Sequence, residues 1–169
     1  MHGTLKDHPV SGATPAAAWQ PYVYRKGVMW GDTDSAAIAY TGRFTYWTLE
    51  AIEMFLRERI GCDWYTINRE RDLGTPFVNV SINFRAPVTP RESLLIEVVV
   101  SRVGASAVTC RLAGRGESSN VLCFDATATF VFAENATLAK IPIPADFVDR
   151  LRDEHAQARL LSGKPGAAA

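Results

Sequence analysis

Histidine is almost absent from this 169-residue chain. The three histidines are His2, His8 and His155, so no imidazole lies between residues 8 and 155. A Ser–His–Asp or Cys–His system needs an imidazole beside its nucleophile, and histidine-rich metal sites need several. The GxSxG elbow and the common glycine-rich phosphate loops are missing as well. An enzymatic activity would therefore rest on carboxylates, hydroxyls and backbone amides, and we expect no metal and no cofactor.

Cysteine and long apolar runs are also scarce. Cys62, Cys110 and Cys123 show no CxxC spacing, which argues against a disulfide framework and a structural zinc site and favours a reducing, cytoplasmic setting. No stretch has the length of a signal-peptide core or a membrane span. Lys and Arg together number 18, as do Asp and Glu. This balance gives no indication of a nucleic-acid or membrane partner.

The length and composition predict one domain with loose ends. Residues 1–20 and 160–169 are rich in Ala, Gly and Pro, so we expect a flexible arm and a flexible tail. The remaining residues, 21–159, contain no linker and no repeat, and their number suits a single domain.

One long helix is predicted near the start of this domain. The segment YVYRKGVMW has the content of a strand, and the loop GDTDSAAIAYTG follows it. A helix is then expected from about Thr41–Arg43 to a stop at Gly61. Its apolar stripe is formed by Phe44, Trp47, Ala51, Met54 and Phe55. Trp47 is expected in the core, and so is Trp30.

Most of the remaining chain reads as strands. They are TPFVNVSINFRA, SLLIEVVVSRV, ASAVTCRLAGR and NVLCFDATATFVF, and a closing helix, ADFVDRLRDEHAQARLL, comes last. In the first of these strands Val78, Val80, Ile82 and Phe84 are expected to share one half-buried face. Segregated elements in this order predict an α+β protein. A long central helix wrapped by a curved antiparallel sheet of about five strands is the hot-dog fold.

Two carboxylates precede the predicted helix, Asp32 and Asp34. The free amides at a helix start stabilise an oxygen that becomes negative when a carbonyl is attacked. A nearby carboxylate can attack that carbonyl or activate a water. Asp is common in solvated turns and at helix caps, so a DxD pair before a helix by itself favours such a structural role, and composition and spacing alone do not overturn that interpretation.

The segment WGDTDSAAIAYTGRFTYWTLEA resembles the signature of the 4-hydroxybenzoyl-CoA thioesterase family of hot-dog proteins. GTPFVNVSINFRAPV is similar to the family's second strand, and IPADFVDRL resembles the segment after its last strand. The resemblance covers nearly the whole domain. It implies hydrolysis of an acyl- or aroyl-coenzyme A thioester, with coenzyme A as part of the substrate.

The resemblance also implies roles for individual residues. Asp34 would be the nucleophile or general base, and the Thr41 amide would face the thioester oxygen. Tyr40 would form a pocket wall, with Ala37 in a stretch that is often glycine-rich in the family. Glu50 adjoins Leu49, where aryl-specific relatives are expected to carry a polar group. The phosphates of coenzyme A would be held by Arg85 and Arg102, with Arg111 as a further candidate.

Two other functions stay open. A non-catalytic binder of acyl thioesters is compatible with the missing glycine and the sparse basic residues. A hot-dog dehydratase or hydratase would need a histidine in its cleft, and the chain has none between His8 and His155. Because a lone hot-dog subunit leaves sheet edges open, we expect a dimer with the site at its interface, and further association to a tetramer.

Overall fold

The computed structural model describes residues 18–163 of the chain. Its elements, in chain order, are β1 (Tyr22–Gly27), α1 (Thr41–Phe55), β2 (Leu73–Gly74), β3 (Phe77–Phe84), β4 (Ser93–Val103), β5 (Ala107–Gly116), β6 (Leu122–Val131), β7 (Ala133–Glu134) and α2 (Ala145–Ser162). A 3-10 turn, Trp30–Asp32, precedes α1. A π-helical turn, Leu56–Ile60, extends α1, and a second one covers Thr66–Glu70.

The five long strands form one antiparallel sheet in the order β1-β4-β5-β6-β3, and β2 pairs with β7 in a small second sheet. Strand β4 is an interior strand, as its continuous apolar sequence predicted. The prediction of an α+β, hot-dog fold with a long helix and about five antiparallel strands is confirmed.

The apolar stripe of α1 fills the concave side of the sheet. Trp47 is 1% exposed, and Phe44, Ala51 and Phe55 are also buried, which confirms the predicted helical face. The inward residues of the interior strands close the core from the other side; they include Ile96, Val98, Cys110, Ala128 and Phe130. Full burial of one such large side chain stabilises the fold by about 2–3 kcal/mol. This packing fixes where α1 starts relative to the sheet.

Gly61 ends the long helix, as predicted. Its φ of +81° lies in the left-handed region, which glycine adopts without a steric penalty. The last carbonyl of the helix, that of Ile60, accepts a hydrogen bond from the Arg150 guanidinium of α2. The helix end is therefore satisfied by another element.

The closing helix α2 protects part of the sheet edge. Pairing between β1 and β4 stops at Tyr22 and Val98, so the following part of β4 has no strand on its β1 side, although it still pairs with β5 on the other. The His155 Nδ1 lies 3.0 Å from the carbonyl oxygen of Val100 and donates to it. Backbone groups on an open edge invite pairing with another chain, and α2 covers these ones.

Strand β3 departs from the predicted alternation. A bulge between Phe77 and Asn79 inserts Val78 as an extra residue, so Phe77 takes the inward position opposite Phe130. Val78 is 57% exposed, and Phe84 at the far end is 52% exposed. The expectation of one shared half-buried face was therefore wrong for Val78, and Val80 (36% exposed) and Phe84 are also exposed, so only Ile82 of the four is partly buried.

The first strand is shorter than predicted. It ends at Gly27, where its pairing with β4 ends, and the chain then leaves the sheet. Trp30 lies on the 3-10 turn beyond this point and is 72% exposed. The prediction that Trp30 belongs to the core was wrong, because the residue sits outside the sheet.

Most of the predicted arm and tail, residues 1–17 and 164–169, lies outside the described residues. Of the remainder, the Trp19 indole donates to Glu154 at 3.0 Å, and α2 continues to Ser162. Among residues 18–163, no helix is both long enough and apolar enough to cross a membrane.

Gly61→Ala is expected to lower the free energy of unfolding by about 1–2 kcal/mol, because a left-handed alanine is strained. A Cβ at this position would also lie 2.8 Å from the Arg150 guanidinium. Urea denaturation measures the change. Gly163→Ala is the matched control, since Gly163 ends α2 at a φ of −86° with ordinary space for a Cβ. Equal stability of the two variants would contradict this account.

Candidate active site

Asp32 holds the loop between β1 and α1 in shape. Its Oδ2 accepts a hydrogen bond from the Met29 N–H at 2.9 Å, and its Oδ1 lies 3.3 Å from Arg43 Nε. Its backbone carbonyl accepts a hydrogen bond from the Tyr40 N–H at 2.8 Å. Both ends of the loop are thus tied to one residue.

Asp34 lies at an exposed tight turn of the same loop. Its N–H donates to the Ile38 carbonyl at 3.0 Å, and its own carbonyl accepts from the Ala37 N–H at 3.0 Å. Its Oδ1 accepts from the Ala36 N–H at 2.8 Å. Within residues 18–163, no donor is found for its Oδ2, which leaves one carboxylate oxygen available.

Ala37 occupies a backbone conformation that favours glycine. Its φ is +59°, in the left-handed region. The turn therefore has the geometry that a glycine would adopt easily, although the sequence supplies alanine.

The first turn of α1 has free backbone donors. Tyr40 is the N-cap residue, and its side chain makes no capping hydrogen bond. No acceptor is found among the described residues for the N–H groups of Thr41 and Gly42. The exposed ring of Tyr40 lies against Gly42, where an added Cβ would be 2.7 Å from the ring. The helix start therefore offers two donors and the positive end of a helix dipole.

A cleft of about 320 Å³ reaches this helix start. The Ala39 N–H donates to the Val88 carbonyl at 2.8 Å and so holds the loop beside the segment after β3, which forms another wall of the cleft. Its lining consists of Ile38, Ala39, Thr41, Phe44, Phe84, Arg85, Ala86, Pro87 and Val88. The cleft is mainly apolar, with Thr41 and Arg85 as its polar members. Both are residues that the sequence singled out.

Within a single chain, Glu50 does not line the cleft at the start of α1. Its Oε2 is 2.8 Å from Lys26 Nζ and accepts a hydrogen bond from the Tyr24 hydroxyl at 3.4 Å, so it joins α1 to β1. Burial raises the pKa of Tyr24, and the Glu50 charge adds to this rise. The predicted contact of Glu50 with substrate stays a prediction.

Arg102 also lies apart from the cleft in one chain. It is exposed near the end of β4, nine residues beyond Ser93, which pairs with Gly27 at the start of the loop. At about 3.3 Å per residue, this separation is roughly 30 Å. A role for Arg102 in phosphate binding likewise stays a prediction.

Sequence reasoning missed a second pocket, of about 420 Å³, at the other end of β3. The Trp64 ring packs edge-on against Phe77, with centroids 5.6 Å apart. Its buried Nε1 has no hydrogen-bond partner among residues 18–163. Asn68 Nδ2 donates to the Trp64 carbonyl at 2.7 Å and lies 3.4 Å from Thr75 Oγ1. The one sequence signal for this pocket was the spacing of Trp64 and Asn68, which lie four residues apart on a short helical segment and therefore share one of its faces.

The cysteines are poor nucleophiles in this fold. Burial raises the pKa of the Cys110 thiol to about 12 and also raises the pKa of Cys62 and Cys123. A thiol must ionise to attack, so these groups stay protonated near neutral pH. Residues 18–163 contain no group of three or more His, Cys, Asp or Glu side chains that could hold a metal ion.

The segment from residue 28 to residue 151, which includes the loop, α1 and all the strands from β2 to β7, matches the Thioesterase-like superfamily. The chain belongs to this family. A solved structure of a thioesterase superfamily protein from Jannaschia sp. is 32% identical, with a TM-score of 0.71. The alignment covers 87% of this chain and 96% of that protein.

Two further members of the thioesterase family have names that specify a substrate. A 1,4-dihydroxy-2-naphthoyl-CoA thioesterase from Synechocystis has a TM-score of 0.74 and 25% identity, over 79% of this chain and 97% of that one. A 1,4-dihydroxy-2-naphthoyl-CoA hydrolase from Picosynechococcus sp. is 32% identical over 77 residues, which are 46% of this chain. The match spans about half, 52%, of that curated relative.

Ala37→Gly is expected to raise the free energy of unfolding by about 0.5 kcal/mol. The free energy gained by removing the strain of a left-handed alanine is larger than the free energy lost because glycine gives up more backbone entropy on folding. Ala36→Gly is the control, because Ala36 does not have a positive φ, and it should lose about 0.5–1 kcal/mol. Chemical denaturation compares the two. A loss of stability in both variants would rule out the strained conformation at Ala37.

Proposed function

We propose that this thioesterase-family protein hydrolyses an acyl- or aroyl-coenzyme A thioester to the free acid and coenzyme A, with the reaction at the start of α1. The observation that carries the proposal is the cleft at this helix start, which places unpaired backbone donors beside an apolar groove. The carboxylate loop lies immediately before those donors in the chain. This combination suits attack on an uncharged carbonyl group.

The amide of Thr41 is proposed as the oxyanion donor. During attack the carbonyl oxygen of the thioester gains negative charge, and a fixed N–H stabilises that charge without reorganisation. One such donor typically lowers the barrier by about 3 kcal/mol. The dipole of α1 adds to this effect, because its positive end lies at the same place.

Asp34 is proposed as the carboxylate of the reaction, supported by its free Oδ2 and by its position before the helix. As a general base it takes a proton from a water, whose oxygen bonds to the thioester carbon. The carbon–sulfur bond then breaks, and the coenzyme A thiolate leaves and takes up a proton. As a nucleophile, Asp34 attacks the carbonyl carbon, the carbon–sulfur bond breaks and the coenzyme A thiolate leaves, and water then hydrolyses the resulting anhydride. Both routes give the same products.

A second copy of the chain is proposed to complete the site. Arg85 N–H donates to the Cys123 carbonyl, so by the alternation of an antiparallel pair Asn83 and Ser81 also face β6. Val80 and Ile82 then direct their backbone N–H and C=O groups away from the sheet. This row of unpaired groups on an edge strand is suited to pairing with the same strand of another copy.

Such pairing would bring the two pockets together. A two-fold pair of β3 edges is antiparallel, so the Phe84 end of one copy lies beside the Phe77 end of its partner. The first end carries the cleft at Thr41, and the second carries the pocket of Trp64. The acyl group of a thioester held by one chain would then enter the Trp64 pocket of the other.

An aromatic acyl group suits this pocket best. Its walls include Leu49, Trp64, Pro76, Phe77 and Leu138, which together favour a flat apolar ring. The named relatives from Synechocystis and Picosynechococcus act on 1,4-dihydroxy-2-naphthoyl-CoA. Leu49 offers no polar group to a ring hydroxyl, so a 4-hydroxybenzoyl group is not favoured over other aroyl groups.

A non-catalytic acyl-thioester binder is the second candidate, favoured by the exposure of Asp34 outside the cleft lining. Tight binding of acyl-CoA without turnover across a wide panel would support it. A dehydratase or hydratase finds less support. His155 is bound to the Val100 carbonyl on the β4 edge, and Val100 is not part of the cleft lining.

Asp34→Asn is expected to lower kcat on the best substrate by at least about 100-fold, because the amide neither takes a proton nor attacks. Free thiol release from a panel of acyl- and aroyl-CoA esters measures it. Asp153→Asn, the same change on the exposed side of α2, should leave the rate unchanged. Wild-type rates for Asp34→Asn would end the assignment of this carboxylate.

Val80→Pro is expected to weaken the dimer and the activity together, because proline removes an outward N–H from β3 and spares the hydrogen bonds to β6. Sedimentation equilibrium measures the association constant. Val80→Thr keeps the N–H and a β-branched side chain, and it should remain dimeric. A wild-type chain that is monomeric at high concentration, yet active, would contradict the two-chain site.

A further inference from the structure

Arg43, in the first turn of α1, joins the helix to the loop that carries Asp34. Its Nη2 donates a hydrogen bond to the Gly31 carbonyl at 3.0 Å, and its Nε lies 3.3 Å from Asp32 Oδ1. One guanidinium group therefore contacts two consecutive residues of the loop. Among residues 18–163, no other salt bridge involves Asp32.

Asp32 needs this contact because its carboxylate is largely removed from water. The side chain of Asp32 is only 14% exposed, whereas that of Arg43 is 43% exposed. A carboxylate in such a place requires hydrogen bonds and an opposite charge. The Met29 N–H supplies a hydrogen bond at 2.9 Å, and Arg43 supplies the charge. Without Arg43, we expect the Asp32 side chain to move toward water and to take the loop with it.

The loop that follows Asp32 is a short hairpin, and Asp34 lies on it. The Tyr40 N–H donates to the Asp32 carbonyl at 2.8 Å, and the Asp34 N–H donates to the Ile38 carbonyl at 3.0 Å. Asp32 and Tyr40 thus form the base of the hairpin, and Tyr40 directly precedes the first residue of α1. The place of Asp34 relative to the helix start is therefore set by the place of Asp32.

The two sides of this hairpin are held by different contacts. The side that leads into α1 is held by the hydrogen bond of the Ala39 N–H with the Val88 carbonyl. The side that leads into Asp34 is held by Arg43. Because the first contact does not involve Arg43, and because Arg43 is partly exposed, its loss should shift the Asp34 side without unfolding the protein.

We propose that Arg43 is a positioning residue, which acts through Asp32 to hold the Asp34 carboxylate in place relative to the Thr41 amide. This inference rests on the proposed function. The carboxylate and the amide must face one carbonyl group at the same time, and a misplacement of about 1 Å can lower a rate about 100-fold. Arg43 itself does not line the cleft, so it has no part in binding the substrate.

Steady-state kinetics with the best aroyl-CoA substrate separate positioning from substrate binding. For Arg43→Gln we expect kcat to fall on the order of tenfold or more, with KM changed less than about twofold. Arg43→Lys keeps the charge and should recover part of the lost kcat. Arg152→Gln, the same change on the exposed side of α2, should behave as wild type. A rise in KM at unchanged kcat would mean that Arg43 binds substrate, and would overturn the proposal.

A double-mutant cycle tests whether Arg43 acts through Asp32. Once Asp32→Asn has removed the carboxylate, the additional change Arg43→Gln should lower kcat less than about twofold, because the contact that it breaks is already lost. If the two changes instead lower kcat by independent factors that multiply, Arg43 does not act through Asp32 and the proposal is wrong.

Amide hydrogen exchange tests the geometry without any enzymatic reaction. In Arg43→Gln the Tyr40 N–H should exchange on the order of tenfold faster than in wild type, since the base of the hairpin is loosened. The Asn120 N–H, bound to the Gly116 carbonyl in the turn between β5 and β6, is the control and should not change.

The outcomes distinguish failure of this inference from failure of the proposed function. If wild type hydrolyses no thioester, the proposed function fails, and exchange alone decides whether Arg43 holds the hairpin. Unchanged exchange of the Tyr40 N–H overturns the inference, and so does faster exchange with a wild-type kcat in an active enzyme. Urea midpoints of Arg43→Gln and wild type should match. A large fall in the midpoint would show a general structural role and would also overturn the inference.

Discussion

The packing of α1 into the concave side of the sheet is the constraint on which the rest of the structure depends. Trp47, Ala51 and Phe55 are almost fully buried, and the inward residues of the interior strands surround them. Because protein cores are close-packed, the helix can neither slide nor rotate without opening a cavity. The first turn of α1 is therefore fixed at one end of the sheet.

Several polar features follow from this fixed helix start. The loop before α1 must turn back sharply, and Asp32 and the left-handed Ala37 make that turn possible. The free amides of the first turn then face a cleft that the segment after β3 closes from one side. The charge-stabilising donors are thus supplied by the backbone. This explains how a chain with no histidine between residues 8 and 155 can offer the proposed acyl-transfer site.

The other half of the proposed site depends on an edge strand. In one chain β3 pairs only with β6, so among the described residues no strand pairs with the outward backbone groups of Val80 and Ile82. The exposed Phe84 and the pocket of Trp64 lie at opposite ends of this strand. In the proposed dimer, a second copy with β3 running in the opposite direction would join the two incomplete pockets into one site.

The sequence predicted the elements whose periodicity is regular. The stripe of α1, the stop at Gly61, the interior position of β4 and the extent of α2 were all recognisable from local patterns. The position of Val78 was not, because a bulge shifts the alternation by one residue and depends on pairing with β6.

The candidate site was predictable only in part for the same reason. The resemblance named Thr41 and Arg85 for separate roles, and both line one cleft. The ion pair of Glu50 with Lys26 and the pocket at Trp64 depend on contacts between distant parts of the chain. No local pattern encodes such distances.

The most direct test of the central claim is a crystal structure with a non-hydrolysable aroyl-CoA analogue. We expect the carbonyl oxygen of the analogue to lie within hydrogen-bonding distance of the Thr41 N–H, and we expect Asp34 to face the carbonyl carbon or a water beside it. An analogue bound with its carbonyl away from the start of α1 would contradict the account.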